Sequence, residues 1–435
     1  MPNPVSVIIV GAGHRSLVYS KYAETHPDRM RIVGVADPDP ERCRMTAEKF
    51  VIPDNMIFSS AEELAAKGKL ADAVINGTMD QQHIETAVPL LKAGYDMLLE
   101  KPFALNEGEV RVLAETAHKY GRKVMICHVL RYAPFYAEIR KRIPLLGKIM
   151  GIETTEHVSH HHVLVSYVRG KWRNTEKAGH HSILLAKCCH DIDLIMWMKS
   201  GIAPVSVCSF GGMQQFRPEN APKGAGERCI VDCPPEVEAN CPFSARKQYL
   251  DHPDRWTFYV WRDLEKYQNP TIQQKEELLK TSDFGRCAYK MDAEVADNQT
   301  VIIKFADGSI ASHNMLAGTP TSQRTIHISG EKGEIVGKVD DSRFTIRLLD
   351  PHSVNEYTEE EVDLNAISGD TSGIKGGHAG GDERLVDDFV SVMLGQKPSI
   401  SCTTIDDSIA GHMTVFCADR AMETGTVVSI PQLKI

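Results

Sequence analysis

A glycine-rich turn and a distant lysine are the residues of this chain whose types and positions most clearly suggest chemistry. An apolar run at residues 5–10 leads directly into Gly11 and Gly13. A strand that ends in such a turn and opens a helix typically cradles the pyrophosphate of a dinucleotide. Lys101 follows a later apolar run, and open α/β sheets bind ligands at the carboxyl ends of their strands. A dinucleotide-binding turn and a lysine at the same edge of the sheet together predict redox chemistry on a hydroxyl or carbonyl group.

The turn departs from the usual three-glycine pattern at its last position. Gly11 permits the tight turn, and Gly13 lets the backbone approach a pyrophosphate. Ser16 stands where the third glycine is usual. Because serine is small, we still expect close packing between the strand and the helix, which is predicted to run from residue 13 to residue 25.

An acidic residue after the second predicted strand indicates which dinucleotide binds. Asp37 directly follows the apolar run at residues 31–36. An acid at this point accepts the ribose hydroxyls of NAD and repels the 2′-phosphate of NADP. We therefore predict NAD, with NADP less favoured, although Arg15 and Arg42 leave some room for it.

A histidine in residues 182–198 is the second candidate for proton transfer. The apolar pattern of this segment predicts one helix, with Lys187, His190 and Asp191 on a single face by their i, i+3 and i+4 spacing. A histidine between a cation and a carboxylate has a pKa suited to acid–base work. The same spacing fits a salt-bridged core histidine, so both interpretations stay open.

The elements that must position these residues predict two domains. In residues 1–130, strands alternate with helices, which predicts an α/β Rossmann domain with a doubly wound parallel sheet. In residues 131–435, apolar alternation and turn signals predict an α+β domain with a mostly antiparallel open sheet and two late helices. Residues 214–249 are rich in proline, cysteine and charge, and they predict a surface insertion.

Composition excludes several classes of partner. The chain has 435 residues and a net charge of −9, which argues against a nucleic-acid binder. It contains no apolar run of about 18 residues, so we predict no membrane span. The N-terminus lacks the features of an export signal, and eleven scattered cysteines fit reduced thiols, so we predict a cytoplasmic protein.

Three consecutive histidines suggest a metal site only weakly. Residues 160–162 are all histidine. If this segment is a strand, alternate side chains point to opposite faces, and only the first and third could converge. We favour histidines of the substrate pocket or the surface over metal ligands.

Three cysteines of the predicted insertion are the other weak metal candidates. The spacing of Cys229 and Cys233 falls within the range of zinc sites, and Cys241 follows closely. A fourth ligand such as His252 or Cys208 is conceivable, but three ligands do not make a site. We therefore predict no metal.

Together these features resemble the Gfo/Idh/MocA family of NAD(P)-dependent oxidoreductases, which is named after glucose-fructose oxidoreductase and inositol dehydrogenase. The resemblance covers nearly the whole chain, in a longer branch of the family. It rests on residues 11–15, on Asp37, on the triplet Glu100-Lys101-Pro102 and on residues 190–193. The Glu-Lys-Pro triplet is the most specific of these. The resemblance implies that Lys101 contacts both nicotinamide and substrate, and that His190 faces the reacting carbon as acid–base.

The resemblance also extends the site. The candidate cofactor contacts are Gly11, Gly13, His14, Arg15, Ser16, Asp37, Thr78, His83, Glu100, Lys101 and Arg131. The candidate substrate or supporting residues are Lys187, Arg169, Trp172 and His378. Ala186 departs from the pattern, because inositol dehydrogenase-like members carry aspartate four residues before the histidine. An Asp–His pair is therefore missing at this spacing, which leaves the proton relay open.

Three functions are compatible with these residues. The first is an NAD-dependent oxidoreductase that acts on a secondary hydroxyl or ketone of a sugar, inositol or glycoside. The second is an NAD-dependent glycosidase that uses transient oxidation, elimination, hydration and re-reduction. The third is a non-catalytic NAD-binding protein. The expected partner is a small sugar, polyol or glycoside, and the family implies a homodimer or homotetramer.

Overall fold

Two β-sheets form the frame of the protein. Its computed structural model describes residues 3–174, 182–252, 255–267, 269–367 and 380–433. The first sheet has six strands and the second has nine. None of the helices in these ranges is long and apolar enough to cross a membrane.

The first sheet is parallel and doubly wound, as the sequence predicts. Its strands are β1 (Val5–Val10), β2 (Met30–Ala36), β3 (Ile57–Phe58), β4 (Ala73–Asn76), β5 (Asp96–Leu99) and β6 (Val124–Ile126). Its helices are α1 (His14–Ser20), α2 (Tyr22–Thr25), α3 (Pro40–Phe50), α4 (Ala61–Ala66), α5 (His83–Lys92) and α6 (Glu107–Tyr120). The strand order β3-β2-β1-β4-β5-β6 reverses direction beside β1. Ligands bind at this switch point in such sheets.

The helix predicted at residues 13–25 is two helices. α1 ends at Ser20 and α2 begins at Tyr22. The Ser20 hydroxyl donates to the carbonyl oxygen of Ser16 over 2.7 Å. Such a bond back to residue i−4 competes with the helical backbone pattern and often bends a helix. Because of this break, α1, which begins at the glycine turn, and α2 are separate helices.

The second sheet is antiparallel except for one strand pair. Its strands are β7 (Ile149–Ser159), β8 (Pro204–Gly212), β9 (Asn298–Phe305), β10 (Ile310–Thr319), β11 (Gln323–Gly330), β12 (Gly333–Lys338), β13 (Arg343–Leu349), β14 (Tyr357–Asp363) and β15 (Val428–Ser429). Their order is β14-β13-β12-β11-β7-β10-β9-β8-β15. Only β7 and β10 pair in parallel. This confirms the predicted mostly antiparallel sheet.

The remaining helices lie in the second part of the chain, including the long segment between β8 and β9, or return to the first sheet. They are α7 (Pro134–Arg142), α8 (His160–Val163), α9 (Ile183–Ala186), α10 (Cys189–Met198), α11 (Pro235–Asn240), α12 (Ile272–Thr281), α13 (Leu364–Ile367), α14 (Gly381–Met393) and α15 (Ile405–Thr424). Leu385 and Phe389 of α14 pack in the core of the first sheet with Val7 and Leu98. The C-terminal helices therefore join the two parts of the chain.

The prediction of a single helix at residues 182–198 is wrong, because the structure has two helices there. α9 ends at Ala186, and α10 begins at Cys189. The backbone N–H groups of Lys187 and Cys188 both donate to the carbonyl oxygen of Ile183, over 2.9 and 3.3 Å. This closing pattern is typical of a helix end. The break separates Lys187 from the helix that carries His190.

The insertion is larger than its composition predicts. It runs from the end of β8 at Gly212 to the start of β9 at Asn298, whereas the sequence places it at residues 214–249. It contains α11 and α12 and has a small core of its own, with Tyr249, Val260 and Leu279 at its centre. This core gives it a defined shape next to the first sheet.

Candidate functional site

A cleft of about 1660 Å³ lies between the first sheet, the segment that contains α9 and α10, and the insertion. It is wide enough for a dinucleotide together with a small substrate, since sites for drug-sized ligands measure about 300–1000 Å³. The predicted residues that line it come from both parts of the chain: Gly11, Gly13, His14, Arg15, Asp37, Thr78, Glu100, Lys101, Arg169, Trp172, Lys187 and His190. His378 falls outside the residues that the structure describes.

The glycine turn has the geometry of a phosphate-binding turn. Gly11 has a φ of +76°, and a Cβ at this position would lie 2.9 Å from the backbone nitrogen of Thr78. A Cβ at Gly13 would meet only open space, which leaves its backbone accessible to a ligand. Ser16 is buried and does not line the cleft, and its hydroxyl would collide with a Cβ on Gly77. Ser16 therefore serves the close packing expected of the third glycine rather than direct contact.

Asp37 lies at the rim of the cleft in a fixed orientation. Its Oδ2 accepts the N–H of Ala12 over 2.7 Å, and its Oδ1 accepts the N–H of Asp39 over 2.8 Å. Asp39 in turn caps α3 by accepting the N–H of Glu41. Two backbone donors thus hold the carboxylate beside the glycine turn, where the ribose of a dinucleotide lies.

Arg15 is held by two carboxylates. Its Nε donates to Glu100 Oε1 over 2.8 Å, and its Nη2 donates to Asp382 Oδ1 over 2.6 Å. Burial alone would raise the pKa of Glu100, but the charges of Arg15 and Lys101 hold that pKa below its usual value. Asp382 lies in the first turn of α14, whose N-cap is Gly380, and it faces Arg15.

The other arginine near Asp37 is also paired. Arg42 Nη2 lies 3.0 Å from Glu265 Oε2, which the insertion supplies. Both Arg42 and Glu265 line the cleft. The two arginines that the sequence leaves available for a 2′-phosphate therefore already have carboxylate partners.

Lys101 is anchored through its side chain and through the backbone that follows it. Its Nζ donates to the carbonyl oxygen of Ala186 over 2.8 Å. His83 Nδ1 lies 2.8 Å from the carbonyl oxygen of Pro102, and Phe103 N–H donates to His412 Nε2 over 3.3 Å. His83 is fully buried and does not line the cleft, so its cofactor contact stays a prediction.

His190 comes from the second part of the chain, is buried, and lines the same cleft as Lys101. Its ring centroid lies 5.8 Å from that of His128 in an edge-to-face arrangement. Behind it, Arg131 Nε donates to Asp193 Oδ2 over 2.7 Å. Arg131 is buried and does not line the cleft; its guanidinium pairs with Asp193, and its cofactor contact stays a prediction.

Asp191 pairs with Arg324, which β11 supplies. Arg324 Nε lies 2.9 Å from Asp191 Oδ1 and 2.7 Å from Glu156 Oε2. Lys187 Nζ lies 3.4 Å from Glu156 Oε1, and burial lowers the pKa of Lys187. Two acids and two bases therefore form a compensated network along one wall of the cleft.

Arg169 and Trp172 differ in how far they can reach a ligand. Arg169 is fully buried, and its guanidinium donates to the carbonyl oxygens of Phe243 and Arg286, both over 2.8 Å. Trp172 is half-buried, and its Nε1 donates to Asp80 Oδ2 over 2.8 Å. Trp172 thus forms a wall of the cleft, whereas the Arg169 guanidinium binds the insertion.

Sequence reasoning missed the aromatic residues that the insertion places over the cleft. The ring of Phe258 stacks on His14 of the glycine turn at a centroid distance of 4.4 Å. Trp256 stacks on His162 at 4.1 Å. The available signal was the dense aromatic stretch at residues 256–261, just beyond the predicted end of the insertion.

The consecutive histidines do not form a strand. Residues 160–162 begin α8, directly after β7, so the argument from alternating strand faces fails. His162 lines the cleft, in agreement with a pocket histidine. His161 instead contacts Gln248 of the insertion, and burial lowers the pKa of His161 to about 4.

One set of three ligand atoms lies mutually within 4.8 Å in the part of the chain that the structure describes. It consists of Cys188, Asp191 and His313, all buried. Arg324 already neutralises Asp191 at 2.9 Å. A cation here would face a guanidinium, so we assign no metal to this set.

Comparison with known families agrees with this geometry. Residues 5–128 match the model described as "Oxidoreductase family, NAD-binding Rossmann fold". Residues 145–430 match the model described as "Oxidoreductase family, C-terminal alpha/beta domain". The chain belongs to the Gfo/Idh/MocA oxidoreductase family. The resemblance predicted from the glycine turn and the Glu-Lys-Pro triplet is thereby confirmed.

Curated relatives of this oxidoreductase match it over part of their length. A trans-1,2-dihydrobenzene-1,2-diol dehydrogenase of Xenopus tropicalis is 27% identical over 42% of this chain and 53% of its own. The myo-inositol dehydrogenase Hyg17 of Streptomyces leeuwenhoekii is 24% identical over 45% of this chain and 55% of its own. The matched region thus spans little more than half of these relatives.

Solved structures resemble the oxidoreductase over its whole length. Levoglucosan dehydrogenase in complex with NADH and levoglucosan has a TM-score of 0.71 at 15% identity and covers 99% of this chain and 100% of its own. The WlbA dehydrogenase of Bordetella pertussis, in complex with NADH and UDP-GlcNAcA, has a TM-score of 0.68 at 16% identity and covers 100% and 99%. At such identities the likeness shows the shared fold.

Proposed function

We propose that this protein is an NAD-dependent oxidoreductase that acts on a secondary hydroxyl or ketone of a sugar, inositol or glycoside. The observation that carries the proposal is that Lys101 and His190 line one cleft with the glycine turn. The two side chains come from different parts of the chain, and each belongs to a residue type that exchanges protons in hydride-transfer reactions.

The residues of the cleft fit a bound NAD. Gly11 leaves no room for a Cβ, and Gly13 opens its backbone to the cleft. Asp37 would accept the ribose hydroxyls and repel a 2′-phosphate. The pairing of Arg15 and Arg42 with carboxylates supports the same preference over NADP. When bound, NAD supplies the acceptor and the donor of a hydride.

In this proposal Lys101 and His190 have different roles at the reacting carbon. The Lys101 ammonium donates a hydrogen bond to the substrate oxygen and stabilises negative charge on it. His190 accepts the hydroxyl proton while the carbon loses its hydride, and it returns the proton when a ketone is reduced. The carbonyl oxygen of Ala186 holds the Lys101 ammonium in place at the wall of the cleft.

The polar wall of the cleft suits a ligand with many hydroxyl groups. Lys187, Glu156 and Arg324 all line it beside His190. These charges compensate one another, so they present donors and acceptors without a strong net charge. The dihydrodiol, inositol and levoglucosan dehydrogenases among the relatives support a polyol or sugar as the substrate class.

The test is a substrate screen with both cofactors. Purified protein is incubated with sugars, inositols and aryl glycosides plus NAD or NADP, and NADH formation and products are followed together. We expect NADH binding by calorimetry and turnover with at least one compound, and turnover should be lost in His190→Asn. The matched control is His352→Asn, at an exposed position far along the chain. Absence of nicotinamide binding would refute the proposal, and binding with no turnover would favour a non-catalytic NAD-binding protein.

A redox-neutral glycosidase is the second candidate, and the insertion favours it. Phe258 stacks on His14, and Glu265 pairs with Arg42, so the insertion covers the edge of the cleft where a dinucleotide enters. A cofactor that regains its hydride in each turnover need not leave the protein. The sequence of steps is oxidation of a ring hydroxyl, loss of the glycosidic group, addition of water and return of the hydride.

Isotope exchange separates the glycosidase from the dehydrogenase. Aryl glycosides are incubated in D₂O, and aglycone release, NADH and deuterium at the carbon next to the transient ketone are measured. Release with exchange and without NADH accumulation supports the glycosidase. Release without exchange excludes this route.

We further propose a cytosolic homodimer or homotetramer. All eleven cysteines are free thiols, which suits a reducing compartment. Phe210, Ile302 and Leu316 lie exposed on the outer face of the second sheet, at 69%, 43% and 45%. An apolar sheet face of this kind commonly packs on another subunit, and light scattering of the purified protein tests the assembly.

A further inference from the structure

Four cysteines converge on one small cavity of the insertion. Cys229, Cys233 and Cys241 line a cavity of about 10 Å³, and Cys287, which lies much later in the chain, lines it as well. This volume is close to the smallest that holds a single water-sized occupant. The fourth cysteine replaces the His252 and Cys208 considered from sequence, neither of which lines the cavity.

Backbone hydrogen bonds bring the two parts of this cluster together. Cys229 N–H donates to the carbonyl oxygen of Gly285 over 2.9 Å, and Cys287 N–H donates to that of Glu227 over 2.8 Å. The two segments therefore run side by side, with one cysteine on each. The backbone hydrogen bonds thus determine where the side chains of Cys229 and Cys287 lie.

The turn between the first two cysteines is tight. The carbonyl oxygen of Arg228 accepts the N–H groups of Asp232 and Cys233, over 3.3 and 3.1 Å. A Cβ on Gly226 would lie 2.5 Å from the backbone nitrogen of Cys233, so only glycine fits beside this turn. The turn keeps Cys229 and Cys233, whose spacing matches that of zinc-binding pairs, on the same cavity.

A buried arginine beside the cluster lacks a carboxylate partner. Arg169 is only 1% exposed. Besides two carbonyl oxygens, its guanidinium contacts Tyr249 Oη at 3.3 Å and Cys229 Sγ at 3.6 Å. None of its partners in the described part of the chain is a carboxylate. A buried cation without a counter-charge is costly, and a thiolate at Cys229 would supply that charge.

We propose that Cys229, Cys233, Cys241 and Cys287 bind one Zn²⁺ as a structural tetrathiolate site. Four thiolates around a single ion are typical of structural zinc. The four thiols release their protons to solvent, four Zn–S bonds form, and no atom changes oxidation state. The resulting complex carries two negative charges, one of which Arg169 offsets directly.

Binding requires an inward movement of the sulfur atoms. No three of these sulfurs lie mutually within 4.8 Å, since the one described set that does so is elsewhere. Zn–S bonds of about 2.3 Å would draw all four together. The ion would then fix the start of the insertion to the segment before β9. It would also fix Arg169, which precedes the Trp172 wall of the cleft.

Metal content of the intact protein tests this site independently of any redox activity. Protein purified without chelators or added metal should contain about one zinc per chain by mass spectrometry. Replacement of zinc by Co²⁺ should give thiolate charge-transfer and visible d–d absorption. Displacement of the metal should expose additional thiols to Ellman's reagent. Iron with strong visible absorption would overturn the assignment in favour of a cluster.

Variants locate the ligands. Cys233→Ser and Cys241→Ser should each lower the zinc content several-fold, whereas Cys208→Ser, a half-buried thiol of β8 outside the cavity, should leave it unchanged. If the ligand variants are insoluble, the wild type still decides the question. Wild-type protein that contains no zinc, and binds none in calorimetry with ZnCl₂, overturns the proposal.

Discussion

Lys101 Nζ donates a hydrogen bond to the carbonyl oxygen of Ala186 over 2.8 Å. Ala186 is the last residue of α9, where helical carbonyl oxygens have no partner within the helix. A cation at a helix C-terminus is also electrostatically favourable. Ala186, the position at which the family resemblance predicts an aspartate, thus contacts Lys101 through its main chain instead of a side chain.

Replacement of Lys101 should impair chemistry more than cofactor binding. In Lys101→Met we expect kcat to fall by about 10²–10⁴-fold, because a positioned proton donor usually accelerates a reaction by that factor. NADH affinity, measured by calorimetry, should change much less because the glycine turn is intact. Lys92→Met, at an exposed site on α5, is the matched control. Full turnover in Lys101→Met would remove this lysine from the mechanism.

Glu265 should contribute to the choice of cofactor. In Glu265→Gln, Arg42 loses its shorter ion pair and keeps the longer one to Asp39, at 3.7 Å. Its guanidinium becomes able to bind a 2′-phosphate, so the ratio of kcat/KM for NADP to that for NAD should rise on the order of tenfold, or about 1.4 kcal/mol. Glu277→Gln is the control, since Glu277 is exposed on α12 and pairs only with a neighbouring lysine. An unchanged ratio would mean that Arg42 lies too far from the ribose to matter.

Loss of Arg131 should cost stability. Arg131 and Asp193 are each buried and joined by paired hydrogen bonds. Arg131→Met leaves the carboxylate without its partner, and we expect the free energy of unfolding to fall by about 3–5 kcal/mol in urea titrations. The double variant with Asp193→Leu should recover much of this loss. Weaker NADH binding with undiminished stability would instead support the cofactor role predicted from the family.

Buried histidines should make the protein less stable in acid. Burial lowers the pKa values of His128, His313 and His412 below the ordinary value for histidine. Each histidine is therefore neutral in the folded state while its unfolded counterpart takes up a proton below about pH 6.5. The unfolded state then binds more protons, and the free energy of unfolding falls as pH drops through that window, by up to about 1.4 kcal/mol per pH unit for each group.

Urea unfolding at several pH values measures this slope. The three histidines act together, so the decline between neutral and mildly acidic pH should be steep. His352→Asn, at an exposed site, should leave the slope unaltered. A flat profile between these pH values would show that the three rings remain accessible to protons in the folded state.

The sequence predicted features that depend on neighbouring residues better than features that depend on contacts between residues far apart in the chain. The glycine turn, Asp37 and the Lys101 strand were found because each depends on residues next to it in the chain. The break at Lys187 was missed because its partner Glu156 lies on β7, outside the helical pattern. His83 and Arg131 were placed on the cofactor by resemblance, yet their burial depends on Pro102 and Asp193, whose positions only the folded chain defines.

The attachment of the insertion has a consequence for how such proteins can diversify. β8 and β9 are antiparallel neighbours, and Gly212, where the chain leaves the sheet, pairs with Asn298, where it returns. Because these ends lie side by side, a two-residue hairpin could join them without altering the sheet. Segments of different length can therefore be accommodated between these two strands without a change in strand pairing.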